Sequence, residues 1–160
     1  MTIIERLRQY KELDPHKIAL IVDDKKYTYG DLYDAILSID INDTSRIVNV
    51  AQTKESPKHI VALIKSHSFV EQLVQWLAGL YTGYIPMVCH NEMDTEYVEE
   101  LARIIAYKGV APLADFGVLT SGTTGRPKPL WRSESSWREF FDIQNDIFHI
   151  NKDTKIFLHG

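Results

Sequence analysis

The sequence predicts an α/β fold in which helices pack on a mixed, largely parallel sheet. Amphipathic segments of helical length alternate with short apolar runs of strand length, an order typical of α/β proteins. Two segments begin with a hydroxyl residue followed three positions later by a carboxylate, a signature of helix starts. No tract rich in Pro, Gly or Ser interrupts the 160 residues, so we expect one structural unit.

The N-terminal elements are predicted to be a helix followed by a hairpin. An apolar stripe at helical spacing opens the chain and ends before Pro15; it comprises Ile3, Ile4, Leu7 and Tyr10. The next stretch, KIALIVDDKKYTY at 17–29, has two strand-like runs around an Asp-Asp-Lys turn. Thr28 and Asp31 then have the spacing of a capping box, which predicts that a helix starts there.

The central part is predicted to contain three buried strands and a long helix. The strands are RIVNVA at 46–51, HIVALI at 59–64 and YIPMVC at 84–89. The helix starts at the second capping signature, Ser68 with Glu71, and ends near Gly83.

The C-terminal part continues the alternation. A helix carrying Tyr97 to Ile105 stops at Gly109, and strands are predicted at FGVLT (116–120), PLWR (129–132) and KIFLH (155–159). Ser133 or Ser136 should cap another helix, whose apolar stripe we expect in the core. That stripe consists of Trp137, Phe140, Phe141, Ile147 and Phe148.

Composition excludes several classes of function. The chain is 44% hydrophobic and 11% aromatic with a net charge of −4, which argues against disorder and against nucleic acid as a partner. No apolar run approaches the length of a transmembrane segment, and charges interrupt the apolar residues of the N-terminus, unlike a signal peptide. Cys89 is the single cysteine, so we expect no intrachain disulfide and a cytoplasmic protein.

The stretch TSGTTGRPK at 120–128 predicts a phosphate-binding loop. Gly122 and Gly125 allow backbone N–H groups to approach a ligand closely, and four hydroxyl donors surround them: Thr120, Ser121, Thr123 and Thr124. Lys128 adds a positive charge. The alternative is a solvated loop that binds nothing, the commonest fate of glycine-rich turns. The stretch is not a Walker A motif, which needs Gly-Lys followed by Ser or Thr.

This stretch resembles the phosphate-binding loop of the adenylate-forming (AMP-binding) superfamily, which includes acyl-CoA synthetases, luciferases and the adenylation domains of peptide synthetases. KIALIVDDKKYTYGDLYDAI at 17–36 is similar to the family's N-terminal hairpin and helix, and LAGLYTGYIPMV at 77–88 resembles its helix-Gly-strand segment. The resemblance covers essentially the whole chain in the family's order. The short segments and WRSESSW at 131–137 look more like a small bacterial acyl-CoA (fatty-acid type) ligase than a peptide-synthetase domain.

The resemblance implies a two-step reaction in fatty acid metabolism. A carboxylic acid attacks the α-phosphorus of ATP to give an acyl-adenylate, and a thiol such as coenzyme A then takes the acyl group; Mg²⁺ is expected beside the phosphates. The family's loop contacts the β- and γ-phosphates. By motif match the ATP-binding residues here are Thr120, Ser121, Gly122, Thr123, Thr124, Gly125 and Lys128, with no metal ligand assigned in this chain.

The sequence also departs from the family. Pro129 replaces the glycine that usually follows the lysine, which removes a backbone donor, and the stretch from Pro86 to Thr120 is shorter than in most members. The family's adenine, ribose, hinge and catalytic-lysine motifs are not found in the 160 residues. We therefore expect residues 1–160 to be an incomplete N-terminal AMP-binding domain, inactive alone, with its catalytic residues beyond Gly160.

Several alternatives remain open on sequence alone. The chain could be a non-catalytic relic or interaction module, or part of an amino-acid adenylation domain, and the acceptor could be a carrier-protein thiol. The remainder of its own enzyme is an expected partner, and exposed apolar faces would favour self-association. Cys89 is expected to be buried and inert, and the histidines show no metal-ligand spacing.

Overall fold

The computed structural model describes residues 1–51, 60–120, 126–151 and 153–157. Helices and strands alternate within these ranges. The helices are α1 (Ile3–Leu13), α2 (Tyr29–Ser38), α3 (Ile41–Thr44), α4 (Phe69–Tyr81), α5 (Thr95–Lys108), α6 (Glu134–Arg138) and α7 (Phe141–Phe148). The strands are β1 (Ile18–Val22), β2 (Lys25–Thr28), β3 (Ser45–Asn49), β4 (Ile60–Ile64), β5 (Ile85–Val88), β6 (Phe116–Leu119) and β7 (Pro129–Arg132). None of these helices is long and apolar enough to cross a membrane.

Five of the strands form one mixed sheet in the order β3-β4-β5-β6-β7. The three central strands run parallel to one another, whereas β3 and β7 pair antiparallel at the two edges. The separate hairpin of β1 and β2 turns at Asp23 and Asp24, whose φ values of 48° and 62° suit the tight hairpin turns that match strand twist. The predicted α/β class with a mixed sheet is confirmed.

The capping signatures mark helix starts as predicted. Thr28 and Asp31 form the reciprocal capping box of α2, with each side chain accepting from the other residue's backbone N–H. Ser68 caps α4 by accepting from the N–H of Glu71. The Glu71 carboxylate, however, accepts from the Ser66 hydroxyl at 2.5 Å, so only half of that box forms.

The two crossover helices of the parallel strands cover opposite faces of the sheet. Alternate residues of β4, Val61 and Leu63, share a buried cluster with α5. On the other face, α4 lies so close to β5 that a Cβ on Gly79 would be 2.9 Å from Pro86 Cβ. Strands β4, β5 and β6 follow one another across the sheet in a single direction. With their crossover helices on opposite faces, one of the two strand–helix–strand connections must be left-handed, whereas such connections are normally right-handed.

Three predictions for the C-terminal part were wrong. The predicted single helix is divided into α6, capped by Ser133, and α7, so Phe140 lies between them. The aromatic stripe is not core: Trp137 is 47% exposed, and no residue of α7 is buried. An apolar helical stripe is buried only where another element faces it, and no described element covers α7. Residues 155–157 of the predicted strand KIFLH have no regular structure, and 158–159 lie outside the described residues.

Gly117 of β6 is required by close packing. A Cβ added there would collide with the Cε of buried Met87 and lie 2.9 Å from the Trp131 ring. We therefore predict that Gly117→Ala lowers the free energy of unfolding by about 1–3 kcal/mol, through overpacking. Urea unfolding of the chain measures this change.

A double-mutant cycle with Met87→Val tests the cause. Valine lacks the colliding Cε atom. The double variant should therefore lose less free energy of unfolding than the sum of the two single losses, by about 0.5–3 kcal/mol. Strict additivity would mean that Met87 is not the group displaced by the added methyl.

Candidate functional site: the loop between strands β6 and β7

The TSGTTGRPK stretch connects the two strands of a hairpin. Strands β6 and β7 pair in register from Phe116 opposite Arg132 to Leu119 opposite Pro129. The next pair closes the base of the loop: the Thr120 N–H donates to the Lys128 carbonyl and the Lys128 N–H donates to Thr120 Oγ1, both at 3.0 Å. The two ends of the motif are therefore held together.

The predicted phosphate-contacting residues are only partly described. Thr120 and Lys128 are both exposed at the loop base. The other predicted ligands, Ser121, Gly122, Thr123, Thr124 and Gly125, lie outside the described residues. The Thr120 oxygen accepts from Lys128, which still leaves its hydroxyl proton able to donate to a ligand.

The loop begins at the edge where the parallel strands end. Ligands of open α/β sheets bind at the carboxyl ends of such strands. Polar residues follow the other two parallel strands at this edge, where Asn91 Nδ2 lies 3.4 Å from His67 Nδ1 and the Lys65 ammonium donates to the Met93 carbonyl. The motif thus begins where this class of sheet places its ligands.

Helix α5 contacts the C-terminal side of the loop. The Tyr97 hydroxyl donates to the Pro127 carbonyl, and the Arg126 guanidinium forms an ion pair with the Glu100 carboxylate. The same guanidinium lies 5.0 Å from the centre of the Tyr97 ring, at the distance of a cation–π contact. Two consecutive loop residues are thereby joined to the first turns of α5.

The Tyr97 hydroxyl must keep its proton to donate to the Pro127 carbonyl. Burial raises the pKa of the Tyr97 hydroxyl, and the nearby Arg126 charge offsets that rise only in part. The hydroxyl consequently remains a hydrogen-bond donor at neutral pH. The Asp94 carboxylate caps α5 by accepting from the Tyr97 N–H at 2.5 Å, which fixes the helix turn that carries the ring.

A cavity of about 470 Å³ lies between α5 and the 126–129 segment. Leu101, Ile105 and Trp131 provide apolar walls, and Lys108 and Lys128 also line it. Within the described chain, Lys128 has no carboxylate partner, in contrast to Arg126. The two cations of the motif therefore occupy different electrostatic environments.

The contacts of Tyr97 with Pro127 and of Glu100 with Arg126 were not predicted from the sequence. The sequence assigns Tyr97 to the apolar stripe of a helix and gives Glu100 and Arg126 no role. Both partnerships span about thirty positions, and no local spacing rule reports a contact of that range.

Among the residues that the structure describes, no three His, Cys, Asp or Glu side chains could together hold a metal ion.

Comparison with known proteins identifies the fold. The chain is 25% identical over 183 aligned positions to VraA of Staphylococcus aureus (strain COL), whose name proposes a long chain fatty acid-CoA ligase. A double mutant of o-succinylbenzoate CoA synthetase (MenE) from Bacillus subtilis, bound to its product analogue OSB-NCoA, matches with a TM-score of 0.62, 16% identity and 95% of this chain covered. MenE with the acyl-adenylate intermediate OSB-AMP gives a TM-score of 0.59 at 15% identity, again over 95% of this chain. No protein-family model matches.

The fold is that of the N-terminal domain of adenylate-forming enzymes. The resemblance to adenylate-forming enzymes that the TSGTTGRPK motif indicates is thus confirmed by the sequence match to VraA and the structural matches to MenE. The match to VraA covers 99% of this chain but 37% of VraA, and the two MenE matches cover 37% and 47% of those chains. The chain therefore spans less than half the length of these relatives.

Cys89 is buried at the end of β5, as predicted, and is fully inaccessible. Burial raises the pKa of its thiol from 9.0 to about 11. We predict slow modification by a thiol-specific disulfide reagent at pH 8, because burial blocks access to the sulfur and the raised pKa keeps the thiol protonated. The same single thiol in denaturant is the internal control. Equal rates in native and denatured protein would contradict the buried, protonated state.

Proposed function

We propose that the chain carries the ATP phosphate-binding segment of an acid–thiol ligase. This enzyme would join a carboxylic acid to AMP with release of pyrophosphate, and then transfer the acyl group to a thiol such as that of coenzyme A. The observation that carries the proposal is the position of TSGTTGRPK in a hairpin at the carboxyl edge of an adenylate-forming fold.

The chemistry of the segment suits the first half-reaction. Negative charge builds up on pyrophosphate as it leaves the α-phosphorus, so preorganised donors at the β- and γ-phosphates lower the barrier. The hydroxyls of Thr120, Ser121, Thr123 and Thr124 and the backbone at Gly122 and Gly125 would supply hydrogen bonds. Lys128 would supply charge, and its freedom from a carboxylate partner in the described structure supports that assignment.

Mg²⁺ would neutralise phosphate charge when bound. No residue of this chain is assigned to it.

The finer assignments follow from the relatives. The name of VraA favours a long-chain fatty acid as the carboxylic acid, and the product analogue bound to MenE favours coenzyme A as the acceptor. The single, buried cysteine is compatible with a reducing cytoplasm. We further propose that residues 1–160 form part of an N-terminal AMP-binding domain. Other parts of such an enzyme would then hold adenosine and carboxylate, and the exposed apolar side chains of α7 would favour association.

Removing a phosphate donor should slow adenylation. In the enzyme that carries this chain, Lys128→Ala and Thr123→Ala should each lower carboxylate-dependent ATP–pyrophosphate exchange about 10- to 1000-fold, the range expected for loss of a transition-state donor. The melting temperature should change little for Lys128→Ala, because this side chain is exposed. Lys26→Ala, an exposed lysine on β2, is the matched control. Unchanged exchange in both loop variants would remove them from the mechanism.

The 160-residue chain alone should bind ATP weakly and catalyse no exchange. A loop that contacts only the leaving group cannot hold adenosine and carboxylate in line, and such positioning accounts for several kcal/mol of a barrier. Its solvent-exposed contacts are screened by salt, so we expect a dissociation constant in the millimolar range or weaker, on the order of 10⁻³ M. Calorimetric titration with magnesium-ATP and pyrophosphate exchange with a panel of fatty and aryl acids measure both. Micromolar binding with measurable exchange would instead identify a complete minimal adenylating unit.

A further inference from the structure

Three contacts from α5 converge on two consecutive residues of the motif. The Tyr97 hydroxyl holds the Pro127 carbonyl, the Glu100 carboxylate holds the Arg126 guanidinium, and the Tyr97 ring lies beneath that guanidinium at 5.0 Å. Tyr97 is 6% exposed and so belongs to the packed part of the helix. We call this group of four residues, Tyr97, Glu100, Arg126 and Pro127, the α5 clamp.

We infer that Tyr97 and Glu100 are positioning residues for Lys128 in the adenylation reaction. The inference rests on the proposed function, since it assumes that the ammonium of Lys128 meets the phosphates of ATP. This role requires no contact between the clamp and ATP or the reacting atoms. It acts through the backbone of residues 126–128.

The backbone provides the mechanical connection. Pro127 has a fixed φ, so holding its carbonyl oxygen also restricts the peptide plane that leads into Lys128. On its other side Lys128 is held by the two hydrogen bonds to Thr120. The Lys128 Cα is therefore fixed between α5 and the end of β6, and the direction in which its side chain leaves the backbone is set by both.

The contacts of the clamp differ in strength. The side chains of Arg126 and Glu100 are 57% and 41% exposed, so their ion pair is screened by water and salt and contributes little to folding. The Tyr97 hydrogen bond is shielded by the buried ring. Hence Tyr97→Phe, which deletes only the hydroxyl, should have the larger effect on Lys128, and the effect of Glu100→Gln should diminish as salt is raised.

A purely structural role is the competing explanation. The clamp could simply tie β7 to the body of the domain, in which case its loss would lower the melting temperature without a specific effect at the loop base. Two controls on the same helix separate these cases. Glu99 forms the equivalent ion pair with Arg46 of β3, at 2.7 Å, and Tyr107 is a 90% exposed tyrosine of α5. Glu99→Gln and Tyr107→Phe therefore match the two clamp variants in chemistry.

The first measurement does not require ATP. Amide hydrogen exchange, followed by NMR on the chain, reports the Thr120 and Lys128 N–H groups that close the loop base. Tyr97→Phe should speed exchange of these two amides about 3- to 30-fold relative to the amide of Leu63 in β4, and the two control variants should not. No difference between Tyr97→Phe and Tyr107→Phe would overturn the inference.

The second measurement is pyrophosphate exchange in the enzyme that carries the chain. Tyr97→Phe and Glu100→Gln should lower kcat about 3- to 30-fold with a smaller change in KM for ATP, because a misplaced Lys128 loses a contact made in the transition state. Exchanging the charges, Glu100→Arg with Arg126→Glu, should restore activity lost in the Glu100→Arg single variant. Suppose that Lys128→Ala slows the enzyme, and that Tyr97→Phe speeds amide exchange at the loop base but leaves kcat unchanged. This result would show that the clamp does not position Lys128 for catalysis.

The two proposals fail in different ways. If the unaltered enzyme shows no exchange, or Lys128→Ala leaves it unchanged, the proposed function is wrong and the catalytic part of the inference falls with it. The amide measurement still decides whether the clamp holds the loop base.

Discussion

The pairing of β6 with β7 is the constraint on which the candidate site depends. The antiparallel ladder brings Leu119 opposite Pro129. Beyond that pair, the Thr120 N–H donates to the Lys128 carbonyl and the Lys128 N–H donates to the Thr120 hydroxyl oxygen. The two ends of the nine-residue TSGTTGRPK stretch are thereby joined. Since β6 runs parallel to β4 and β5, these two ends lie at the carboxyl edge of the parallel strands.

Placement of the crossover helices on opposite faces determines which helix can reach that loop. Helix α4 packs with α1 and α2 on one face, whereas α5 covers the other face. Helix α5 also starts at the carboxyl edge, directly after β5, so its first turns lie beside the loop. Tyr97 can therefore serve two purposes: its side chain is buried in the first turn of α5, and its hydroxyl donates to the Pro127 carbonyl.

Local rules predicted the parts of the structure that local forces decide. The Thr28–Asp31 box, the Ser68 cap and the turn at Asp23 depend on neighbours within four positions, and each was predicted from the sequence. The exposed Trp137 and the break after Arg138 were not, because burial depends on what faces a helix and the sequence does not state that. The clamp was missed for the same reason: Glu100 and Arg126 are 26 positions apart.

The hairpin that carries the loop is joined to the parallel strands by little backbone pairing. The ladder between β5 and β6 consists of the single pair Met87 and Gly117, so side chains must provide most of the attachment. On one face the Phe116 ring lies between Trp76 and Trp137, with ring centres 5.4 Å and 5.0 Å away. On the other face Met87 and Trp131 close over Gly117, and Tyr97 reaches Pro127. The base of the loop is therefore attached through side-chain packing on both faces of the sheet, and the proposed role of the α5 contacts in placing Lys128 depends on that attachment.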